Sequence, residues 1–198
     1  MFSDNVRLKA VLAAIDNING GDPRCAQIHG TEVPYELLYG RRMSERLASF
    51  VDDASDELQI AVRGQHIRRW AIPRDTYPEG REGYREWRTA LGRYHAQLVA
   101  ELMHEHGYDE AQCARAGVIL RKENLKRDAE VQILEDVACL VFLEYYLDDF
   151  VADHRSEKAV EVLRKTWGKM SPKGRDAALD LPLDVTTRAL IEQALHKN

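Results

Sequence analysis

One segment of the sequence is apolar on nearly every side of a helix. Between Val137 and Leu147 few polar residues interrupt the apolar ones, and the whole stretch from about Glu130 to Asp153 keeps helical spacing. A helix that is apolar all round is buried on all its faces. The sequence therefore predicts a central helix around which the core is built. The longest unbroken apolar run, residues 137–143, is far shorter than the roughly 20 residues that a membrane span requires.

The rest of the chain is also patterned for helices. Apolar residues recur three and four positions apart, and no stretch shows the sustained alternation of a strand. The predicted fold class is all-α, a single-domain helical bundle. We expect Ser55 and Asp109 to cap helices, Gly107 to end one, and Ser171-Pro172 to open one. The predicted helices run from about 4 to 17, 34 to 50, 55 to 70, 84 to 106, 109 to 120 and 130 to 153, followed by two or three shorter ones ending near 195.

Length and composition narrow the class of protein. The 198 residues suit one domain, with a core over about 34–153 and C-terminal helices over about 156–196. A net charge of −5 argues against general nucleic-acid binding but permits a local basic pocket. Three cysteines without a CxxC spacing give no disulfide or zinc framework. We therefore expect a cytoplasmic protein with no membrane association.

Three polar residues interrupt apolar stripes on three different predicted helices. His66 lies four residues from both Val62 and Trp70, and His95 falls between Leu91 and the pair Leu98-Val99. Asp136 lies three residues from both Ile133 and Cys139. A buried carboxylate is costly unless it is paired, so Asp136 should meet a histidine, an arginine, a metal or a ligand. If all three side chains converge, they form either a structural hydrogen-bond network or a site for a ligand or metal.

Basic residues form a second constellation. Arg42, Arg68, Arg69 and Lys122 fall at or near predicted helix ends, where side chains from several helices can surround one anion. Phosphate is the anion that such a group suits. The alternative is ordinary solvated charge balanced by neighbouring carboxylates. The chain has no Gly-rich phosphate loop, GxSxG elbow or HExxH motif.

Four segments carry a likeness to a known family. The chain resembles the family called domain of unknown function 4202 over nearly its whole length, in residues 36–44 (ELLYGRRMS), 65–74 (QHIRRWAIPR), 120–128 (LRKENLKRD) and 134–144 (LEDVACLVFLE). That resemblance implies no activity, because the family is named for lacking an assigned one.

A more distant likeness is to the HD superfamily of metal-dependent phosphohydrolases, which are all-α proteins. Their motif is a His, a His-Asp pair and a distant Asp that together hold a divalent metal. The resemblance matches His66 to the paired His, Asp136 to the distant Asp and His95 to an additional His of some members. Met43 and Ile67 stand where the first His and the paired Asp are expected. A thioether and an alkyl group cannot replace those ligands for Mg or Mn.

Three hypotheses about function follow. The first is a degenerate HD-like protein without a metal, which binds an anionic small molecule, phosphorylated or nucleotide-like. In it, His66, His95 and Asp136 line the pocket and Arg42, Arg68, Arg69 and Lys122 rim it. The second is an active metal-dependent phosphohydrolase or other HD-type enzyme, in which the same three residues, His66, His95 and Asp136, are the catalytic residues and hold one divalent metal with an open position. The third is a helical adaptor that binds another protein and has no pocket chemistry.

Overall fold

The computed structural model describes residues 6–153, 156–183 and 185–196. Helices dominate these residues, and the prediction of an all-α fold is confirmed. The elements are α1 (Val6–Asn19), β1 (Cys25–Ile28), β2 (Thr31–Pro34), α2 (Tyr35–Phe50), α3 (Asp56–Gly64), α4 (Gly80–Glu105), α5 (Glu110–Leu120), α6 (Ala129–Tyr145), α7 (Leu147–Asp153), α8 (Ser156–Lys169), α9 (Pro172–Leu179) and α10 (Val185–His196), with two 3₁₀ turns at Arg69–Ala71 and Arg74–Thr76. No helix among the described residues is long and apolar enough to cross a membrane.

The chain divides into two compact units, one over residues 1–134 and the other over residues 135–198. The expectation of a single domain stays a prediction. In the first unit α4 packs against α5, and α3 packs against α1, α2, α4 and α5. Its core includes Ile15, Met43, Leu47 and Met103, all almost fully buried. In the second unit α8 packs against both α7 and α10.

Helix ends follow the chemistry of their capping residues. The Ser55 side chain accepts a hydrogen bond from the Leu58 N–H at the start of α3. Asp109 and Gln112 form a reciprocal capping box on α5, and Gly107, at a φ of +80°, ends the turn after α4. Ser171 caps α9, which has a proline in its first turn. The four predicted caps and ends are confirmed.

Two short strands lie between α1 and α2, where the sequence shows no alternation that predicts a strand. β1 and β2 pair antiparallel with Cys25 opposite Pro34 and Ile28 opposite Thr31. The turn between them is His29-Gly30, and both residues have a positive φ, which is the conformation of a tight hairpin turn. The strands have only four residues each and are half exposed, so alternation over them is too brief to be seen in the sequence. This hairpin was therefore not predicted.

The third helix is shorter than predicted, and this difference positions the site. α3 ends at Gly64, where the chain passes close to Val99: a Cβ on Gly64 would lie 2.6 Å from the Val99 side chain. The chain then turns through Arg68, which has a φ of +49° and whose N–H donates to the buried Asn19 side chain at 3.0 Å. Residues 65–70 are therefore held in turns and not on a continued helix.

The central helix has the predicted character with a different end. Apolar residues on α6 are buried through most of its length, including Leu134, Val137, Leu140 and Val141. The helix is interrupted for one residue at Tyr146 and continues as α7, so the single helix predicted to Asp153 is divided in two. The hydrogen bond from the Phe150 N–H to the Tyr146 carbonyl keeps the chain on a helical path.

Candidate functional site

His66 is fixed by hydrogen bonds on both ring nitrogens. Arg69 Nη1 lies 2.7 Å from His66 Nε2, and Glu36 Oε2 lies 3.1 Å from His66 Nδ1. A guanidinium can only donate, so Nε2 must be the acceptor and Nδ1 must carry the proton that is donated to Glu36. The ring also stacks on Tyr39, with centroids 4.0 Å apart. His66 is therefore a neutral imidazole with a defined tautomer.

Burial and nearby cations keep His66 neutral. Desolvation lowers its pKa well below the ordinary value, and the charges of Arg69, Arg88 and Lys122 lower it further. The Glu36 carboxylate is 1% exposed and also binds the Arg24 guanidinium at 2.9 Å. Burial raises the pKa of Glu36, and the positive charges of Arg69 and Arg24 oppose that rise. The pair of Glu36 and His66 thus lies at the base of a strongly cationic region.

His95 reaches the same region from α4. Every fourth residue of this helix from Gly83 to Met103 is buried, and His95 belongs to that series with an exposure of 3%. Its ring centroid lies 6.3 Å from that of His66. Desolvation is the main cause that lowers the pKa of His95 well below the ordinary value, and the neighbouring His66 and Arg69 lower it further. Its Nε2 atom is buried and has no hydrogen-bond partner among the described residues.

The two histidines line one cavity of about 370 Å³. Its walls come from the turn after α3, from α4 and from the segment after α5. The described residues that line it include five cationic side chains and one carboxylate, namely Arg69, Arg88, Arg93, Arg121, Lys122 and Glu123. Glu123 is already occupied by Arg121, with the two side chains 2.6 Å apart. The cavity consequently has an excess of positive charge.

Two arginines carry most of that excess near the histidines. Burial and the nearby charge of Arg88 lower the pKa of Arg69, which nevertheless remains a cation because arginine titrates so far above neutral pH. Arg88 has no hydrogen bond or ion pair with any residue that the structure describes. Two guanidinium groups therefore act on the same small volume, and one of them has no carboxylate to neutralise it.

The segment after α5 is strained where it borders the cavity. Lys122, Asn124 and Lys126 have φ values of 56°, 58° and 73°, in the left-handed region that side chains disfavour by about 1–2 kcal/mol per residue. Lys122 lines the cavity. The end of the segment is held by Arg115, which binds Asp128 and also Glu130. The sequence left the structure of residues 121–128 undecided, and it is a series of turns.

The predicted basic residues divide into two groups. Arg69 and Lys122 line the cavity, as stated above. Arg42 and Arg68 are not among its lining residues. The Arg68 side chain is exposed, and its backbone N–H donates to Asn19 in the left-handed turn at that residue. For Arg42 and Arg68 the structure offers no support for contact with a ligand in this cavity.

Asp136 belongs to the second unit, where Ser171 is its partner. The Ser171 N–H and Oγ–H donate to its two carboxylate oxygens at 2.8 and 2.6 Å. A Cβ on Gly174 would lie 2.5 Å from Asp136 Oδ1, so the first turn of α9 packs tightly on the carboxylate. The Ser171 side chain and backbone amide are therefore among the groups that stabilise this carboxylate. That Asp136 also meets a histidine, an arginine, a metal or a ligand stays a prediction.

The metal set predicted for the site has no geometric support. Within residues 6–153, 156–183 and 185–196, no group of three or more His, Cys, Asp or Glu side chains has an arrangement that could hold a metal ion. Met43 and Ile67, which replace two ligands of the HD motif, are both fully buried apolar residues. Metal binding by His66, His95 and Asp136 and the HD resemblance both stay predictions.

Two residues of the site were missed at the sequence level, and each left a signal. Glu36 shares the face of α2 that contains Tyr39, Gly40 and Met43, so its spacing already placed it on the buried stripe. Arg88 lies seven residues before His95 on α4, two helical turns along the same face. The helical spacing that places His95 on an inward face therefore also applies to Glu36 and Arg88.

Comparison with known proteins gives one match. The chain matches the family described as Domain of unknown function (DUF4202) over residues 9–191. No curated protein and no solved structure gives a match. Because the match spans nearly the whole chain and includes both units, the chain belongs to the DUF4202 family.

Proposed function

We propose that the cavity lined by His66 and His95 binds a small molecule that carries a phosphate group. The observation that carries this proposal is the buried Nε2 atom of His95, which lies at the wall of a cationic cavity and finds no hydrogen-bond partner in residues 6–153, 156–183 and 185–196. A buried polar atom without a partner costs roughly 1–3 kcal/mol, which a bound ligand would recover. Neutral His95 can donate from Nε2 to an anionic oxygen, because its pKa is lowered by burial.

The charges in the cavity favour phosphate over a neutral ligand. The Arg88 guanidinium has no hydrogen-bond or ion-pair partner within the part of the chain that the structure describes, and Lys122 and Arg69 act on the same volume. A guanidinium binds two phosphate oxygens at once, whereas an ammonium supplies a compact point charge. A volume of about 370 Å³ lies within the usual range for small-molecule sites and exceeds what a phosphate alone needs. The phosphate is therefore one group of a larger ligand.

His66 serves the site by positioning Arg69. Its Nε2 accepts from Arg69 while Glu36 fixes its tautomer from the other side. Protonation of His66 would remove the acceptor and place a third positive charge beside Arg69 and Arg88. The neutral ring thus keeps Arg69 in one orientation without competing for the anion. A cytoplasmic location fits this proposal, since none of the three cysteines, all of them among the described residues, forms a disulfide bond.

Calorimetric titration with inorganic phosphate, pyrophosphate and sugar phosphates tests the proposal. We expect saturable binding that weakens with added salt. Arg88→Ala should lower the affinity by about tenfold or more, the amount expected for a lost charged hydrogen bond. Arg85→Ala is the matched control, because it removes the same charge from the same helix outside the cavity. Absence of binding to every phosphate compound, or an equal loss in both variants, would refute the proposal.

A further inference from the structure

A second cleft, of about 830 Å³, lies beside the phosphate cavity. Its lining is aromatic and apolar over much of its extent, from Trp70, Ile72, Pro73, Tyr77 and Trp87. We call it the aromatic cleft. The Trp87 Nε1–H donates to the Ile72 carbonyl at 2.9 Å, which fixes the ring in the wall. Trp70 and Tyr77 are half-buried, so part of each ring remains accessible.

Arg69 lies between the cavity and the cleft. Of the described residues it alone lines both. Its Nη1 atom binds His66 Nε2 on the cavity side, and its guanidinium carbon lies 4.8 Å from the centre of the Trp87 ring. One guanidinium therefore binds the histidine and also lies over the tryptophan ring. A ligand in either volume contacts the same guanidinium.

The charges of the aromatic cleft are more nearly balanced than those of the cavity. Arg24 is paired with Asp22 and Glu36, and Arg74 donates to the carbonyls of Tyr77 and Pro78. Two carboxylates, those of Asp75 and Glu79, also line the cleft. They repel a phosphate and can accept hydrogen bonds from amino groups. The anion accordingly belongs in the cavity, and an aromatic group with amino donors belongs in the cleft.

We infer that the ligand is a nucleoside phosphate, with its phosphate in the His66–His95 cavity and its base in the aromatic cleft, on either side of Arg69. This inference rests on the proposed function and specifies the ligand class of that site. Trp70 and Tyr77 supply apolar and stacking contact to the base, and Asp75 or Glu79 accepts from its exocyclic amino group. Arg69 contacts both parts of the ligand and sets the distance between them.

Titration with a series of related compounds tests the inference. Inorganic phosphate, ribose 5-phosphate, adenosine and AMP differ by one group at a time. We expect AMP to bind at least about tenfold more tightly than ribose 5-phosphate, the gain that stacking of one base gives. Trp70→Leu keeps apolar bulk but removes the indole face, so it should abolish most of that gain and leave the affinity for inorganic phosphate unchanged.

The controls separate this inference from the proposed function. Tyr77→Ala should weaken AMP binding alone, whereas Tyr145→Ala removes an exposed tyrosine outside both volumes and should leave AMP binding as in the parent. Far-UV circular dichroism checks that each variant is folded. Equal affinity for AMP and ribose 5-phosphate would overturn the inference while the proposed function stands. Binding of adenosine with no binding of any phosphate compound would refute both.

Discussion

Acidification should weaken the fold through the two histidines of the cavity. His66 and His95 both have pKa values lowered well below 6.5, chiefly by burial, so both stay neutral in the folded protein as the pH falls. In the unfolded chain they titrate near 6.5 and take up protons below that pH. The unfolded state therefore binds more protons. The stability that these residues contribute is present above pH 6.5 and is lost as the pH falls below it.

The size of the loss follows from the unfolded-state titration. A histidine that stays neutral when folded costs about 1.4 kcal/mol of unfolding free energy between pH 7.5 and pH 5.5, and two cost about 2.7 kcal/mol. That is a large part of the 5–15 kcal/mol typical of a folded domain. Glu36, whose pKa is raised by burial, acts in the opposite direction, because its carboxyl group takes up a proton at a higher pH in the folded protein than in the unfolded chain. Comparison of the parent with a variant that lacks one of the two histidines therefore isolates the contribution of that histidine.

Urea unfolding followed by circular dichroism measures this effect at pH 5.5, 6.5 and 7.5. His95→Gln should reduce the loss across that interval from about 2.7 to about 1.4 kcal/mol, because one buried imidazole has been removed. His29→Asn provides the matched control, since His29 is exposed at the hairpin turn and asparagine tolerates its positive φ. The loss should then be as in the parent. Identical pH dependence in the parent and in His95→Gln would refute the argument that this ring is buried neutral.

Three further substitutions test strain, packing and charge. Lys122→Gly should raise the free energy of unfolding by about 1 kcal/mol, because glycine adopts a φ of 56° without cost, and it should also weaken phosphate binding. Lys122→Ala should weaken phosphate binding without the gain in stability. Gly174→Ala should lower the free energy of unfolding by about 1–3 kcal/mol, because its Cβ would lie 2.5 Å from the buried Asp136 Oδ1. Gly168→Ala is the control: its Cβ meets open space, so it should raise the free energy of unfolding by about 0.5–1 kcal/mol. Equal effects of the two substitutions in urea unfolding would contradict the packing described. Arg115→Ala should raise the pKa of Asp128 from about 2 toward 3.8 in an NMR titration, so the stability that the pair adds above pH 3.8 should vanish; an unchanged titration would mean that Arg115 is not the cause of the shift.

Local chemistry made the helices predictable and the turns between them unpredictable. Ser55 and Asp109 predict helix starts because their side chains accept hydrogen bonds from backbone N–H groups only a few residues away. The turn after α3 is instead held by a hydrogen bond from the Arg68 N–H to Asn19, which is remote in sequence. The hairpin depends on His29 adopting a positive φ, for which a histidine is a weak signal.

The candidate site was partly predictable for a related reason. Helical periodicity placed His95 inward because one helix determines its face. His66 also points inward, but a turn held by Asn19 puts it there, and the helix assumed for it ends earlier. Helical periodicity shows which face of its own helix a residue occupies, but it does not show which residue of another element contacts that face. That is why the partner of Asp136 was not identified as Ser171, and why the connection of Glu36 to His66 required coordinates.

The contact between α6 and the first turn of α9 limits how the chain can be shortened. Ser171 supplies two donors to Asp136 across 35 positions of sequence. A truncation that stops before Ser171 would keep the acidic side chain and delete two of its hydrogen-bond donors, at a cost of several kcal/mol. Fragments made for crystallisation or for fusion should thus extend through α9, although the described residues that line the His66–His95 cavity all lie upstream of residue 124.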